Sequence, residues 1–168
     1  MEQENVYAPP ESELEIPLDE PPLAGRWARF WGAIIDGLIG MAIAFPAMFL
    51  TGYWDRAMAQ QVTMLETLLY GVFGFVMFAV LHGYLLAKNG QTIGKKLVGT
   101  RIVSTVSNQV LPFWKVLFVR YLPISVAANI PLAGGLLVII DDLFIFRNNK
   151  RCVHDLIAGT KVIKAGAN

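Results

Sequence analysis

The sequence predicts an α-helical membrane protein: a four-helix transmembrane bundle, its third and fourth helices forming a short hairpin, with a small cytoplasmic β element. Three observations predict it. Of the 168 residues, 55% are hydrophobic and only 16% charged, and the mean hydropathy is +0.50; a soluble domain clothes itself with about 25% charged residues. Residues 37–54, 67–87 and 121–140 contain no Asp, Glu, Lys or Arg, and each run is close to the roughly 20 residues that cross a ~30 Å hydrocarbon core. The basic residues, finally, are concentrated in two segments that the positive-inside rule assigns to the cytoplasm.

The chain opens with a stretch of a different kind. Residues 1–22 hold seven acids and five prolines but no Lys or Arg, so the remaining 14 basic and six acidic residues give the body a charge of +8. An acidic, Pro-rich stretch buries too little apolar surface to offset the entropy of ordering. It is expected to be a disordered cytoplasmic tail ahead of a membrane domain over residues 23–168. With no positive n-region and no apolar h-region it is not a cleaved signal peptide, and the first hydrophobic segment is a retained anchor.

The first helix is expected over about 27–50, with Arg29 as a basic interfacial anchor and Asp36 well inside; the second covers about 64–87. Trp27, Trp31, Tyr53 and Trp54 stand where aromatic belts form. The third charge-free run is interrupted by Pro123, Asn129, Pro131 and Gly134-Gly135, which fits one broken span or two helices of about 113–128 and 131–146. Parity decides between them. Lys88, Lys95, Lys96, Arg101 and Lys115 precede this run, Arg147, Lys150, Arg151, Lys161 and Lys164 follow it, and an even number of crossings must separate two cytoplasmic segments. The hairpin satisfies that, although arms of about 16 residues reach only ~24 Å. Both termini then lie in the cytoplasm.

Two cytoplasmic stretches, about 97–104 and 158–164, share the pattern Gly-Thr-basic-aliphatic-aliphatic (Gly99 to Val103, Gly159 to Ile163). As strands on one membrane side they would satisfy each other's backbone groups by pairing.

Charge at membrane depth costs about 2.5–3.5 kcal/mol per Asp on insertion scales and needs a reason. Asp36 lies two helical turns after Arg29, on the same face, between Gly32 and Gly40; small neighbours mark a face that meets protein, with Gly71 and Gly74 of the second helix as the expected partners. In the hairpin, a turn near residue 132 places Arg120 within about one helical turn of Asp141 and Asp142, an expected Arg–carboxylate pair. His82 falls at a depth similar to Asp142. The candidates for binding an ion or proton are therefore Asp36, Asp141, Asp142 and His82, with Arg29 and Arg120 as charge partners. Each of Arg29, His82 and Arg120 also fits a purely structural role, by snorkelling, hydrogen bonding or ion pairing.

Other chemistry is not indicated. Gly90 to Lys96 has the look of a phosphate-binding loop, but its glycines are four apart and Lys96 replaces the Mg²⁺-binding hydroxyl; Lys95 and Lys96 instead suit anionic headgroups. Cys152 is the single cysteine, which excludes an internal disulfide, and Cys152 with His154 is too small a donor set for a metal. No nucleophile stands with a general base, so no enzyme is expected, and no cofactor. Juxtamembrane basic residues need no nucleic acid to explain them.

Three ordered blocks resemble the RDD family of bacterial membrane proteins, named for one arginine and two aspartates. They are residues 23–36 (LAGRWARFWGAIID), 90–95 (GQTIGK) and 151–160 (RCVHDLIAGT). The matching positions are Arg26, Arg29 and Asp36; Gly90, Thr92, Gly94 and Lys95; and His154, Asp155, Gly159 and Thr160. Either Arg26 or Arg29 is the named arginine, the two-turn spacing to Asp36 favouring Arg29, and the second aspartate is Asp155 or one of Asp141 and Asp142. The resemblance implies a multi-pass plasma-membrane protein with a role in transport, Na⁺/H⁺ antiport being attributed to some members. The leading expectation is thus a small transporter, cation/proton coupled, in which Asp36 binds the ion while Arg29 and His82 tune its protonation. Membrane lipids, monovalent cations and protons are its partners, and four helices leave so little room that a homo-oligomer is expected. The alternative is a non-transporting scaffold whose strands and acidic tail recruit a cytoplasmic partner.

Overall fold

Two long helices dominate the computed structural model, which describes residues 20–130 and 133–166. Helix α1 (Arg26–Leu50) has 25 residues and α3 (Met64–Asn89) has 26. At 1.5 Å per residue each is ~38 Å long, more than a hydrocarbon core requires. Both are long and apolar enough to cross a membrane, and their most apolar stretches are not buried against the rest of the chain. Their side chains face outward along most of their length, among them Leu38, Met41, Phe45, Leu68, Leu69 and Val80. That exposure is what a lipid-facing helix shows and a soluble core helix does not.

The chain turns between these helices through the short α2 (Tyr53–Met58). Helix α3 then starts on a reciprocal cap, in which the Thr63 hydroxyl accepts from Glu66 N and the Glu66 carboxylate accepts from Thr63 N, satisfying two otherwise orphaned donors. Arg56 Nε donates to Glu66 Oε1 at 2.9 Å and ties the turn to that cap. At the other end Gly90, at φ +65°, closes α3 with a left-handed residue.

Most of the remaining elements gather at the end of the long helices where α1 begins and α3 finishes, here termed the sheet end, while residues 113–129 run back along α3 from Gly83, which faces Phe113, to Gly71. Helix α4 (Ile93–Leu97) leads into β1 (Thr100–Ser104). A rod of α5 (Phe113–Lys115), a π-helical turn (Val116–Tyr121) and α6 (Leu122–Ala128) follows, then α7 (Gly134–Leu143), a 3-10 turn (Phe144–Phe146), α8 (Val153–Ala158) and β2 (Thr160–Lys164). The expected strands do pair, antiparallel, from Thr100 opposite Lys164 to Ser104 opposite Thr160. They are shorter than expected at their starts, because Leu97 belongs to α4 and Ala158 to α8. The shared Gly-Thr has a physical reason: Gly99 and Gly159 both take positive φ, +66° and +63°, so each turns a short helix into a strand where a Cβ would be strained.

Most of the acidic, Pro-rich stretch, residues 1–19, lies outside the described residues. Its last residues belong to the fold. Leu23 bridges to Ile163, and Lys164 N donates to Pro22 O and Ala24 N to Val162 O, so the chain adds a short third edge to the sheet. Ala24, Leu86, Ile102, Leu111, Val116 and Val162 form a buried core beneath it.

The hairpin region differs from two regular helices. Pro123 has no N–H to give residue 119, and the hydrogen-bond ladder widens ahead of it: Leu122 N donates to Leu117 O, five residues back. The second arm is helical only from Gly134 and closes in a 3-10 turn. Asn129 packs its amide into the space above Gly71 of α3, so Gly71 receives the hairpin tip and not α1.

Candidate functional site

Asp36 sits where α1 meets α4. Gly94 N donates to its Oδ1 at 2.7 Å, and the Thr92 hydroxyl donates to its Oδ2 at 2.5 Å. Thr92 Oγ1 in turn accepts from Lys95 N, so one hydroxyl caps α4 and holds the Asp36 carboxylate. The close approach needs glycine on both sides. A Cβ on Gly94 would run into the Gly32 carbonyl, and one on Gly32 would lie 3.2 Å from Val98. The protein face that the Gly32–Asp36 stripe meets is therefore α4, in place of the expected Gly71 and Gly74.

His82 is buried and approaches Asp36 Oδ1 through Nε2 at 3.9 Å. Its Nδ1 accepts from Ile93 N, which leaves the ring proton on Nε2, pointing at the carboxylate. Lys95 Nζ lies 4.0 Å from Asp36 Oδ2. Beyond this group, a cleft of about 340 Å³ runs along the α1–α3 seam between Gly37, Gly40 and Gly74 and reaches both Asp36 and His82. Gly74 thus lines open space next to α1, where close packing was expected.

The second cluster is centred on Asp155, which is fully buried. Arg29 Nη2 donates to its Oδ2 at 2.6 Å; Arg120 donates to its Oδ1 from Nε at 3.1 Å and from Nη2 at 2.8 Å; the Thr160 hydroxyl donates to Oδ1 at 2.8 Å and Cys152 N to Oδ2 at 3.3 Å. Burial alone would raise this carboxyl; Arg120, His154 and Arg29 outweigh it and hold it well below the usual carboxylate range. Arg29 also donates to Lys150 O, and Arg26, on the surface, reaches only Phe146 O.

Two expected partnerships are thereby corrected. Arg29 shares a face with Asp36 but turns to Asp155. Arg120 pairs with Asp155 and not with Asp141 or Asp142, because α8 brings its own acid into the space between the two guanidinium groups. Asp141 instead accepts from His154 N at 3.0 Å and from the His154 Nδ1–H, while His154 Nε2 accepts from Arg120 Nη2 at 3.0 Å. Burial and Arg120 lower the His154 pKa, in keeping with a neutral ring wired in that sense.

Asp141, Cys152 and His154 bring a carboxylate oxygen, a sulfur and a ring nitrogen within 4.8 Å of one another, a donor set of the kind zinc takes. Asp141 is the third member that the spacing of Cys152 and His154 does not reveal. The same atoms already serve the protein: Cys152 Sγ accepts from Arg29 at 3.4 Å, and burial pushes its thiol up to about 12. Two guanidinium groups would also face any cation there.

Asp142 stands apart. No hydrogen bond or ion pair reaches it among the described residues, and it opens on a second cleft, of about 380 Å³, that also contains Lys95 and Trp27.

The RDD family model matches residues 23–159. The chain belongs to the RDD family. It is 31% identical over 141 residues to an uncharacterized protein of Haemophilus influenzae, covering 84% of this chain and 78% of that one. It is 30% identical over 150 residues to the uncharacterized protein YckC of Bacillus subtilis, covering 84% and 85%. No solved structure matches. The three blocks that carry the RDD resemblance form one spatial unit: α1 is a rib that meets the second block through Asp36 and the third through Arg29. The two-turn spacing between those residues lets one helix hold both. Thr92, Thr160 and Cys152 complete the two clusters, and sequence reasoning gave them no partners because each acts across more than 50 residues or through a short helix with too few turns to show a period.

Proposed function

We propose that the protein is a multi-pass plasma-membrane transporter that exchanges a small monovalent cation for protons, with Asp36 as the exchanging carboxylate and the His82 N–H facing it. The observation that carries this reading is the α1–α3 cleft ending on those two residues. A carboxylate offers about four lone-pair positions; Gly94 N and Thr92 occupy two, which leaves Asp36 able to take up a proton from the cleft or a dehydrated cation without losing its hold on α4, with the His82 Nε2–H facing it. Four spans with both termini in the cytoplasm, the hairpin supplying two, follow from the basic residues flanking it. A homo-oligomer covers the apolar faces that two long helices leave open and closes the cleft from the lipid side.

Proteoliposomes under a Na⁺ or K⁺ gradient, with an internal pH dye, test it. Asp36→Asn keeps an acceptor for Gly94 N, reverses the Thr92 bond so that the amide donates to Thr92 Oγ1, and removes the carboxylate; it is expected to abolish cation-driven proton flux in a folded protein. Flux that persists in Asp36→Asn removes the assigned role.

A second reading, a non-transporting scaffold, is supported by the closure of the Asp155 cluster, in which every charge is matched inside the protein. It expects no flux from the intact chain under any monovalent gradient.

A further inference from the structure

The cleft beside Asp142 has a charge balance unlike the rest of the sheet end. Arg29 and Arg120 share Asp155, and Asp141 is tied to Arg120 through the neutral His154, so these two arginines and two aspartates balance as a group, while Lys95 leans toward Asp36 at 4.0 Å. Asp142 is the carboxylate left over. It is exposed and projects into a space of about 380 Å³ between the start of α1 and the end of α7, within the range of ligand pockets. The walls are of two kinds. Arg29, Arg120 and His154 also border it but are engaged with Asp155 and Asp141, so Lys95 and Asp142 are the charged groups of each sign outside that cluster, while Trp27, Phe30, Ile34 and Leu143 supply an apolar surface that is 69%, 42%, 39% and 56% exposed.

That outward apolar surface is continuous with the lipid-facing side of α1, so the cleft opens to the bilayer at the depth where the charged clusters begin. An occupant must place a cation on Asp142, tolerate an ammonium at Lys95 by presenting an anion there, and lay hydrocarbon along Phe30 and Ile34. An anionic lipid without an amine, such as phosphatidylglycerol, meets the second and third demands but not the first. We infer that the α1–α7 cleft is a binding site for a phospholipid with a primary-amine headgroup of the phosphoethanolamine kind. Its ammonium donates to Asp142, its phosphate faces Lys95, and its acyl chains lie on α1. A carboxylate receiving a charge-assisted hydrogen bond needs an N–H, which a choline headgroup lacks. The site borders the Asp36 group at Lys95 but uses neither Asp36 nor His82, and it stands whether or not the protein transports.

Native mass spectrometry of the full chain in detergent, titrated with phosphatidylethanolamine, phosphatidylglycerol or phosphatidylcholine of equal chain length, tests it. Phosphatidylethanolamine is expected to be retained about tenfold more tightly than the others, and Asp142→Asn to remove that preference, as expected from losing one hydrogen bond to a charged group. Asp142→Glu keeps the charge and is expected to retain most of the preference. Asp142 is exposed and makes no internal bond, so both variants should fold, and an unchanged thermal midpoint checks that. Equal retention of all three lipids, phosphatidylcholine held as tightly as phosphatidylethanolamine, or a preference unmoved by Asp142→Asn would each overturn the assignment.

Discussion

Asp155 accepts hydrogen bonds from two arginines, a threonine and a backbone amide, and no water-facing surface remains to it. Breaking a buried charge pair from one side leaves the other charge uncompensated and costs about 3–5 kcal/mol, a large share of the ~5–15 kcal/mol by which a domain is stable. Asp155→Asn is therefore expected to lower the thermal midpoint in detergent steeply or to abolish the folded species on gel filtration. Thr160→Val, which removes one neutral donor, should cost about 1 kcal/mol. His154 gives the cluster a pH dependence of its own. Its folded pKa lies below the ordinary 6.5, so between those values the unfolded chain binds a proton that the folded chain refuses. Stability from this source is complete above about pH 6.5 and declines as pH falls through that window. Asp155, whose pKa is also depressed, adds its own loss only below the ordinary carboxylate range near 4. Midpoints measured from pH 5 to 8 should show the histidine slope, and His154→Gln should flatten it.

At the scale of elements, glycine decides which pairs can close. Gly94 is buried against the Gly32 carbonyl and Asp36, whereas a Cβ at Gly135, on the exposed side of α7, meets nothing within 4 Å. Gly94→Ala should force α4 away from α1 and cost about 1–3 kcal/mol, while Gly135→Ala should be neutral or stabilising by up to ~1 kcal/mol; chemical or thermal unfolding in one detergent compares them. Elements with a local signature were legible in the sequence. The two long helices follow from apolar runs, and the strands from a repeated Gly-Thr that marks a left-handed residue before each. What was not legible depends on distant or irregular backbone. Arg120 lies in a π turn set by Pro123, so a register counted along ideal helices assigns it to α7 acids when α8 supplies the partner. Asp36 was correctly identified as facing protein, yet its partner is a five-residue helix that no periodicity announces.

For the whole molecule, the long helices and the hairpin set different lengths against one bilayer. Helices α1 and α3 exceed a ~30 Å core, but residues 113–128 reach only about 24 Å. A hairpin that turns back before the far surface and one that thins the membrane to reach it both return the chain to the same side, so the basic flanks alone do not separate them. The contact between Asn129 and Gly71 favours the second. Gly71 is in the third turn of α3, counted from its start at Met64 and thus from the end remote from the sheet. A hairpin tip docked there has travelled most of the length of α3, ~27 Å from Asn89 by helical rise, so the four-span proposal expects local thinning to complete the crossing. Cysteines at Ile130, which is 46% exposed, at Gln61 in the turn before α3 and at Ser107 after β1 read this out with a membrane-impermeant maleimide on intact cells. The native Cys152 is buried with its thiol pushed up to about 12, so it contributes little background. Ile130→Cys and Gln61→Cys should label from outside and Ser107→Cys only after permeabilisation. If Ile130→Cys behaves like Ser107→Cys, the hairpin is re-entrant and the protein has two spans.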